Sequence, residues 1–230
     1  MSLYTIGDLH LSMQCDKPMD IFKGWQDYVE RLCKNWREVI SSQDSVIIPG
    51  DISWGMTLPE ARADFELINS LPGTKYILKG NHDYWWNTMR KMESFFEDNG
   101  FDTIKVIHNN AYRIGDISVC GTRGWFFDAQ SDADGKVIMR EAGRLRASLE
   151  AAVSLGGEPV VFLHYPPVSS DNVCEQRCEV LLEYRIKRCF FGHLHGYIAP
   201  ENAALERDGT QFRLVSADYL AFCPRLIEKS

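Results

Sequence analysis

Leu3-Tyr4-Thr5-Ile6-Gly7-Asp8-Leu9-His10 begins as a short apolar run, breaks at a glycine, and delivers an aspartate and a histidine two residues apart. A strand-length apolar stretch that stops at glycine reads as a buried strand. The pattern recurs four times along the chain. Residues 45–50 run into Gly50-Asp51, and 75–80 into Gly80-Asn81-His82-Asp83. Residues 159–163 meet His164, and 188–192 enter Gly192-His193-Leu194-His195. In open α/β sheets, ligands gather at the carboxyl ends of the strands. Five strand ends therefore bring Asp, Asn and His side chains to one rim.

Helical patterns separate these strands. From Trp25 to Ile40 apolar residues recur every three or four positions with charged residues between them, the mark of an amphipathic helix lying on a sheet. A second helix is expected from Thr57-Leu58-Pro59-Glu60, which has capping-box spacing, to Pro72-Gly73. Further helices are expected over 87–98, 137–155 and 173–184. Shorter strands are expected over 105–108, 111–114, 117–120 and 211–216. Alternating strands and helices give an α/β fold with mixed sheets. No repeat or linker interrupts the chain, so residues 1–230 read as one domain.

Composition bounds the function. The apolar fraction is 45% and the charged fraction 25%, values of a soluble globular protein. A net charge of −7 repels phosphate backbones and argues against nucleic acid as the main partner. No apolar run approaches the ~18 residues of a membrane span, and no signal peptide is evident. Seven scattered cysteines without a Cys-x-x-Cys pair fit reduced thiols in a cytoplasm. Cys174 and Cys178 stand four apart, a spacing that allows a metal but reads as a pair of ordinary thiols.

The rim residues suit a pair of transition metals. Imidazole favours zinc, iron and similar ions, while carboxylate and amide oxygens accept harder ions such as manganese. Asp8 and His10 are close enough in sequence to share one cation, whereas His193 and His195 could serve one cation or two. Two adjacent cations need an anion between them, and Asp51, alone after its glycine, is the candidate bridge. Two divalent ions offset by two carboxylates leave a local excess of positive charge, which matches a phosphoryl group.

The series Asp8-x-His10, Gly50-Asp51, Gly80-Asn81-His82-Asp83, His164 and Gly192-His193-x-His195 resembles the calcineurin-like metallophosphoesterase superfamily. The resemblance implies an α/β/β/α sandwich of mixed sheets holding two divalent or trivalent ions of manganese, iron or zinc. It assigns Asp8, His10 and His195 to one ion and Asn81, His164 and His193 to the other, with Asp51 bridging. It implies hydrolysis of a phosphomonoester or phosphodiester by metal-activated water or hydroxide. His82, beside Asn81, becomes the proton donor to the leaving group. Asp83 either orients His82 or caps the next helix. The nearest functional variants are a nucleotidase or a cyclic-nucleotide phosphodiesterase. The rival of another class is a non-catalytic metal-binding scaffold.

The chain departs from two subfamilies. Ser/Thr protein phosphatases carry Arg before Gly-Asn-His and a Gly-Asp-x-Val-Asp-Arg-Gly run, where this chain has Lys79 and Gly50-Asp51-Ile52-Ser53-Trp54-Gly55. Cyclic-nucleotide diesterases often show His-His-Pro-Pro, where this chain has His164-Tyr165-Pro166-Pro167. The expected partner is a small phosphorylated substrate, and oligomeric state is encoded in none of these signals. Arg123, Tyr84 and Trp54 are candidate substrate contacts, while Trp85 and Trp86 read as core or cleft wall. His108, at a turn beside Asn109-Asn110, reads as a surface residue. Gln130 to Gly135 with Glu141 nearly matches a calcium-binding loop but reads as a solvated acidic loop.

Overall fold

The computed structural model describes residues 1–125, 132–169 and 172–229. A five-stranded sheet is built from β1 (Ser2–Thr5), β2 (Ser45–Ile48), β3 (Thr74–Ile77), β4 (Ile104–Val106) and β11 (Arg225–Lys229), in the order β11-β1-β2-β3-β4. A six-stranded sheet contains β5 (Ala111–Ile114), β6 (Ile117–Thr122), β7 (Glu158–Leu163), β8 (Arg188–Phe191), β9 (Ala204–Arg207) and β10 (Thr210–Leu214), in the order β5-β6-β7-β8-β10-β9. Parallel pairs form the middle of each sheet; antiparallel pairs lie at both edges of the six-stranded sheet and at the β11 edge of the five-stranded one, whose β4 edge is parallel.

Side-chain alternation along the central strands creates the layers. Val46 and Ile48 of β2 point to a core shared with α1 (Tyr28–Val39), α2 (Arg62–Ser70) and α3 (Met89–Asp98), while Ile47 points the other way. On β7, Val161 and Leu163 face α4 (Asp132–Leu155) and α5 (Glu175–Glu183), whereas Val160 and Phe162 turn away. The two inward sets meet in a core between the sheets, with Leu3, Ile47 and Leu78 from one and Val119, Phe162 and Phe190 from the other. A period of two thus buries both faces of each sheet. The result is helices, sheet, sheet, helices: an α/β/β/α sandwich, as the family resemblance implies. α1 packs through Tyr28, Leu32, Cys33 and Trp36, the stripe expected from its spacing. Full burial of a side chain as large as Trp36 stabilises the layer by about 2 kcal/mol or more.

Several boundaries shift. Thr57 and Glu60 do bond reciprocally, with Glu60 N–H donating to Thr57 Oγ1 over 3.4 Å, but they form a turn and α2 begins only at Arg62. α4 starts at Asp132, so Asp132 to Gly135 are helical and not part of the acidic loop expected there. Gln130 of that motif lies outside the described residues. Glu141 is buried in α4, accepting from Thr122 Oγ1 at 3.2 Å and Gly124 N at 3.0 Å. β9 and β11 are polar, largely exposed edge strands. They lack the apolar run that marks the central strands. A short helix, α6 (Pro200–Ala203), leads into β9. No helix among the described residues is long and apolar enough to cross a membrane. Cys174 and Cys178 are both buried and free.

Candidate metal centre

The loops that follow β1 and β2 continue side by side beyond the strands. Asp8 N donates to Gly50 O at 3.0 Å, His10 N to Asp51 O and Leu11 N to Ile52 O, both at 2.9 Å. These bonds hold the backbone while it turns sharply. Asp8, His10, Asp51 and His193 all have positive φ, between 46° and 72°. Left-handed backbone is uncommon outside glycine and gathers where surrounding structure forces it, as at functional sites. Two glycines make room: a Cβ on Gly80 would run into the Asp51 carboxylate, and one on Gly192 into that of Asp8.

The side chains converge between the two sheets. Oxygen and nitrogen atoms of Asp8, His10 and His195 lie within 4.8 Å of one another, as do those of Asp8, Asp51 and His164. Asp51 Oδ2 stands 3.7 Å from His10 Nε2 and 3.6 Å from His164 Nε2, midway between the two groups. Asn81 Oδ1 lies 2.6 Å from His164 Nε2 and 3.0 Å from His193 Nδ1. All seven residues that the sequence singles out therefore meet at one place. His10 Nε2 and His195 Nε2 are 3.1 Å apart. Atoms that share one cation at about 2.1 Å stand roughly 3 Å apart, so these spacings fit a metal.

The electrostatics fit as well. Burial, with Asp51 alongside, pushes the Asp8 carboxyl up to about 8, and burial lifts Asp51 to about 6. Burial pulls the His164 and His193 imidazoles down to about 3 and His10 well below its ordinary value. Carboxylates pushed up by burial and three imidazoles held neutral are what a cation resolves, since it takes neutral nitrogen lone pairs and offsets anionic oxygens. The outward nitrogens are committed. His164 Nδ1 is 3.1 Å from the Pro49 carbonyl and must donate to it, leaving Nε2 free to coordinate. The residues present thus fit a pair of metal ions.

Asp218 is a site residue that the sequence reading missed. Its Oδ1 accepts from His195 Nδ1 at 3.0 Å and its Oδ2 from Gly196 N at 2.8 Å. Burial opposes charge on His195, but the Asp218 hydrogen bond and the Asp8 carboxylate outweigh it and lift the imidazole to about 9. A carboxylate behind a ligating histidine fixes its ring. Residues 216–218 follow a strand to the same rim, which was the available signal.

Asp83 differs from both expectations. It is fully buried and accepts from the backbone N–H groups of Gly80 at 2.7 Å, Ile52 at 2.8 Å and Asp51 at 2.9 Å, and from Trp85 Nε1 at 3.1 Å. It ties two ligand loops together. It neither bonds His82 Nδ1, which is shielded without a partner among the described residues, nor caps α3, where Thr88 precedes the first turn.

His82 lies in a cleft of about 490 Å³ with His10, Asp51, His193 and His195. Met19, Phe22, Trp25 and Trp54 form much of the remaining wall. Trp54 stacks on His10 at 5.0 Å between ring centroids, and its shielded Nε1 has no partner among the described residues. Tyr84 stands at the mouth, edge-on to His82 at 6.1 Å and more than half exposed. Trp85 is core, packed against Phe65. Arg123 lies apart from this cleft, in a pocket with Lys79 and the half-buried His108.

Residues 1–197 match the calcineurin-like phosphoesterase family. The chain belongs to that family. Among solved structures it resembles TT1561 of Thermus thermophilus, at 10% identity and a TM-score of 0.58, covering 98% of this chain and 97% of that one. It also resembles a protein of unknown function, AQ665 from Aquifex aeolicus, at 14% identity and a TM-score of 0.53, covering 98% and 95%. At such identities the likeness is one of fold. No curated protein matches the sequence. Asp218 lies beyond the stretch that matches this phosphoesterase family.

Proposed function

We propose that the chain is a metal-dependent phosphohydrolase that cleaves a small phosphomonoester or phosphodiester. The observation that carries this is Asp51 Oδ2, equidistant from His10 Nε2 and His164 Nε2 where the two ligand groups meet. Asp8, His10 and His195 would hold one ion, Asn81, His164 and His193 the other, and Asp51 both. Two such ions supply Lewis acidity toward phosphoryl oxygens and lower the pKa of water toward neutrality.

The chain's own groups complete the work. His82 lines the cleft beside Asp51, and its imidazole is suited to donate a proton to the leaving oxygen. Asp218 orients His195, and Asp83 fixes the loops that carry Asp51 and His82. The apolar wall of Met19, Phe22, Trp25 and Trp54 excludes water and suits a leaving group with an apolar or ring-shaped body. Trp54 favours the nucleotidase or cyclic-nucleotide variant, because a flat ring can stack on it. Seven free cysteines suit a reducing cytoplasm.

The test is turnover of p-nitrophenyl phosphate and its bis ester by manganese-loaded protein, wild type beside His82→Ala. We expect hydrolysis of at least one ester and a loss of about 100-fold or more in the variant, the size of a general-acid contribution. If metal-loaded wild type cleaves neither, the chain is a scaffold and the proposal fails.

A further inference from the structure

Beside the metal centre lies a second pocket of about 240 Å³ whose lining includes Lys79, His108, Arg123, Arg140 and Arg144. Lys79 leaves β3 two residues before Asn81, His108 follows β4, and Arg123 follows β6. Arg140 and Arg144 project one helical turn apart from α4. The strand orders put this pocket next along the rim from the candidate metal ligands, which follow β1, β2 and β3 on one sheet and β7 and β8 on the other. Adjacent strands are about 4.8 Å apart, so the step is short. The join is direct: the Arg123 carbonyl accepts from Tyr165 N at 3.0 Å, next to His164, and the Tyr165 ring packs on His193 at 4.2 Å.

The charge here is unbalanced. The lining includes no carboxylate among the described residues. Nearby Glu141 is already engaged by Arg144, Thr122 and Gly124, and Asp83, which also acts on Lys79, is engaged by backbone amides. No described carboxylate forms an ion pair with Lys79, Arg123 or Arg140. Among the described residues the lining gathers four cationic side chains and no carboxylate, in a protein whose net charge is −7. Arg140 and Arg144 are a like-charged i,i+4 pair, a repulsive arrangement on a helix. Arg123 Nε is shielded from solvent and has no hydrogen-bond partner among the described residues, which is unfavourable for a charged donor. An anion in the pocket removes all three costs. Guanidinium forks match the oxygens of a phosphoryl group, whose double charge suits this excess better than a carboxylate's single one. A pocket of this size fits one such group and not the stripe of phosphates in a nucleic acid.

We propose that this basic pocket is the subsite for a second phosphoryl group of the substrate, so that the preferred substrates carry two phosphoryl groups, one at the metals and one here. This rests on the phosphohydrolase reading for its catalytic part only. Two measurements test it separately. Inorganic phosphate is titrated calorimetrically into metal-stripped protein, where the metal centre offers no cation. Binding should weaken about tenfold in Arg140→Gln and in Arg123→Gln, the loss of roughly one charged hydrogen bond. Both variants should melt like wild type. With manganese-loaded protein, the KM for butane-1,4-diyl bisphosphate relative to that for butyl phosphate should rise about tenfold in the same variants. Absence of phosphate binding by stripped wild type, or binding indifferent to both substitutions, overturns the pocket. A KM ratio that does not move overturns its role as a substrate subsite. If no ester is cleaved but phosphate binding behaves as stated, the phosphohydrolase reading fails and the substrate role falls with it, while the anion pocket stands.

Discussion

At the amino ends of β2 and β3, Asp44 accepts from Ser2 N at 2.6 Å, Ser41 N at 2.8 Å and Ser41 Oγ at 2.7 Å, while buried Lys75 Nζ donates to Leu71 O at 2.6 Å and Gly73 O at 2.8 Å. At the carboxyl ends of the same strands, Asp51 and Asn81 point acceptor atoms at ring nitrogens of His164, His193 and His10. One end pairs donors with acceptors, although burial still pulls the Lys75 ammonium down to about 8. The other brings acceptors together and calls for positive charge. Burial works against the Asp44 charge, yet its hydrogen bonds hold the carboxyl below its ordinary value, whereas Asp8 and Asp51 are pushed above theirs. Burial alone does not mark a functional charge, because both ends are buried. The mark is a set of buried carboxylates and imidazoles drawn to one point, where hydrogen bonds and neighbouring charge do not outweigh the cost of burial.

Three substitutions probe that contrast. The largest effect is expected for Asp51→Asn, which leaves the shape but removes the charge between the two ligand groups. We expect turnover by metal-loaded protein to fall about 10³-fold, equivalent to roughly 4 kcal/mol of transition-state stabilisation. Steady-state kinetics on p-nitrophenyl phosphate checks this, and retention of full activity would break the contrast. Next comes Asp218→Asn, which weakens the hold on His195. Metal affinity should drop about 10- to 100-fold, measured by competition with a chelating indicator, with the melting temperature of stripped protein little changed.

The smallest effect belongs to the paired end. Asp44→Ala should cost about 1–3 kcal/mol of folding stability by urea melts, through the donors it strands, and leave metal affinity unchanged. Its pH dependence has a definite sign. The folded-state pKa lies below the ordinary 3.8, so the wild-type advantage is complete above that value and is lost as pH falls through the folded pKa. An advantage that grew toward acid would contradict the hydrogen-bonding account.

The same contrast explains what the sequence disclosed. Central strands and their ligands were legible because an apolar run, a glycine and an Asp, Asn or His form one contiguous signal, as at Gly50-Asp51. Strands β9 and β11 were not, since edge strands need bury little and carry charges instead. Asp218 was overlooked because Ser216-Ala217-Asp218 has neither the glycine nor the histidine of the other strand ends. Asp83 was misjudged for a geometric reason: its neighbour His82 faces the cleft, but the loop turns Asp83 inward onto four backbone amides. The basic pocket had no linear signature at all. Lys79 and Arg144 stand far apart in the chain and meet only once the two sheets stack.

The central claim is that Asp51 lies between two cation sites. Its most direct test is the number of manganese or zinc ions retained per chain after equilibrium dialysis, measured by mass spectrometry of the metal content, for wild type and for Asp51→Asn with its fold verified by circular dichroism. The account predicts two ions per wild-type chain and a clear loss of occupancy in the variant. Wild type without bound metal, or a variant that retains both ions as tightly, would contradict it.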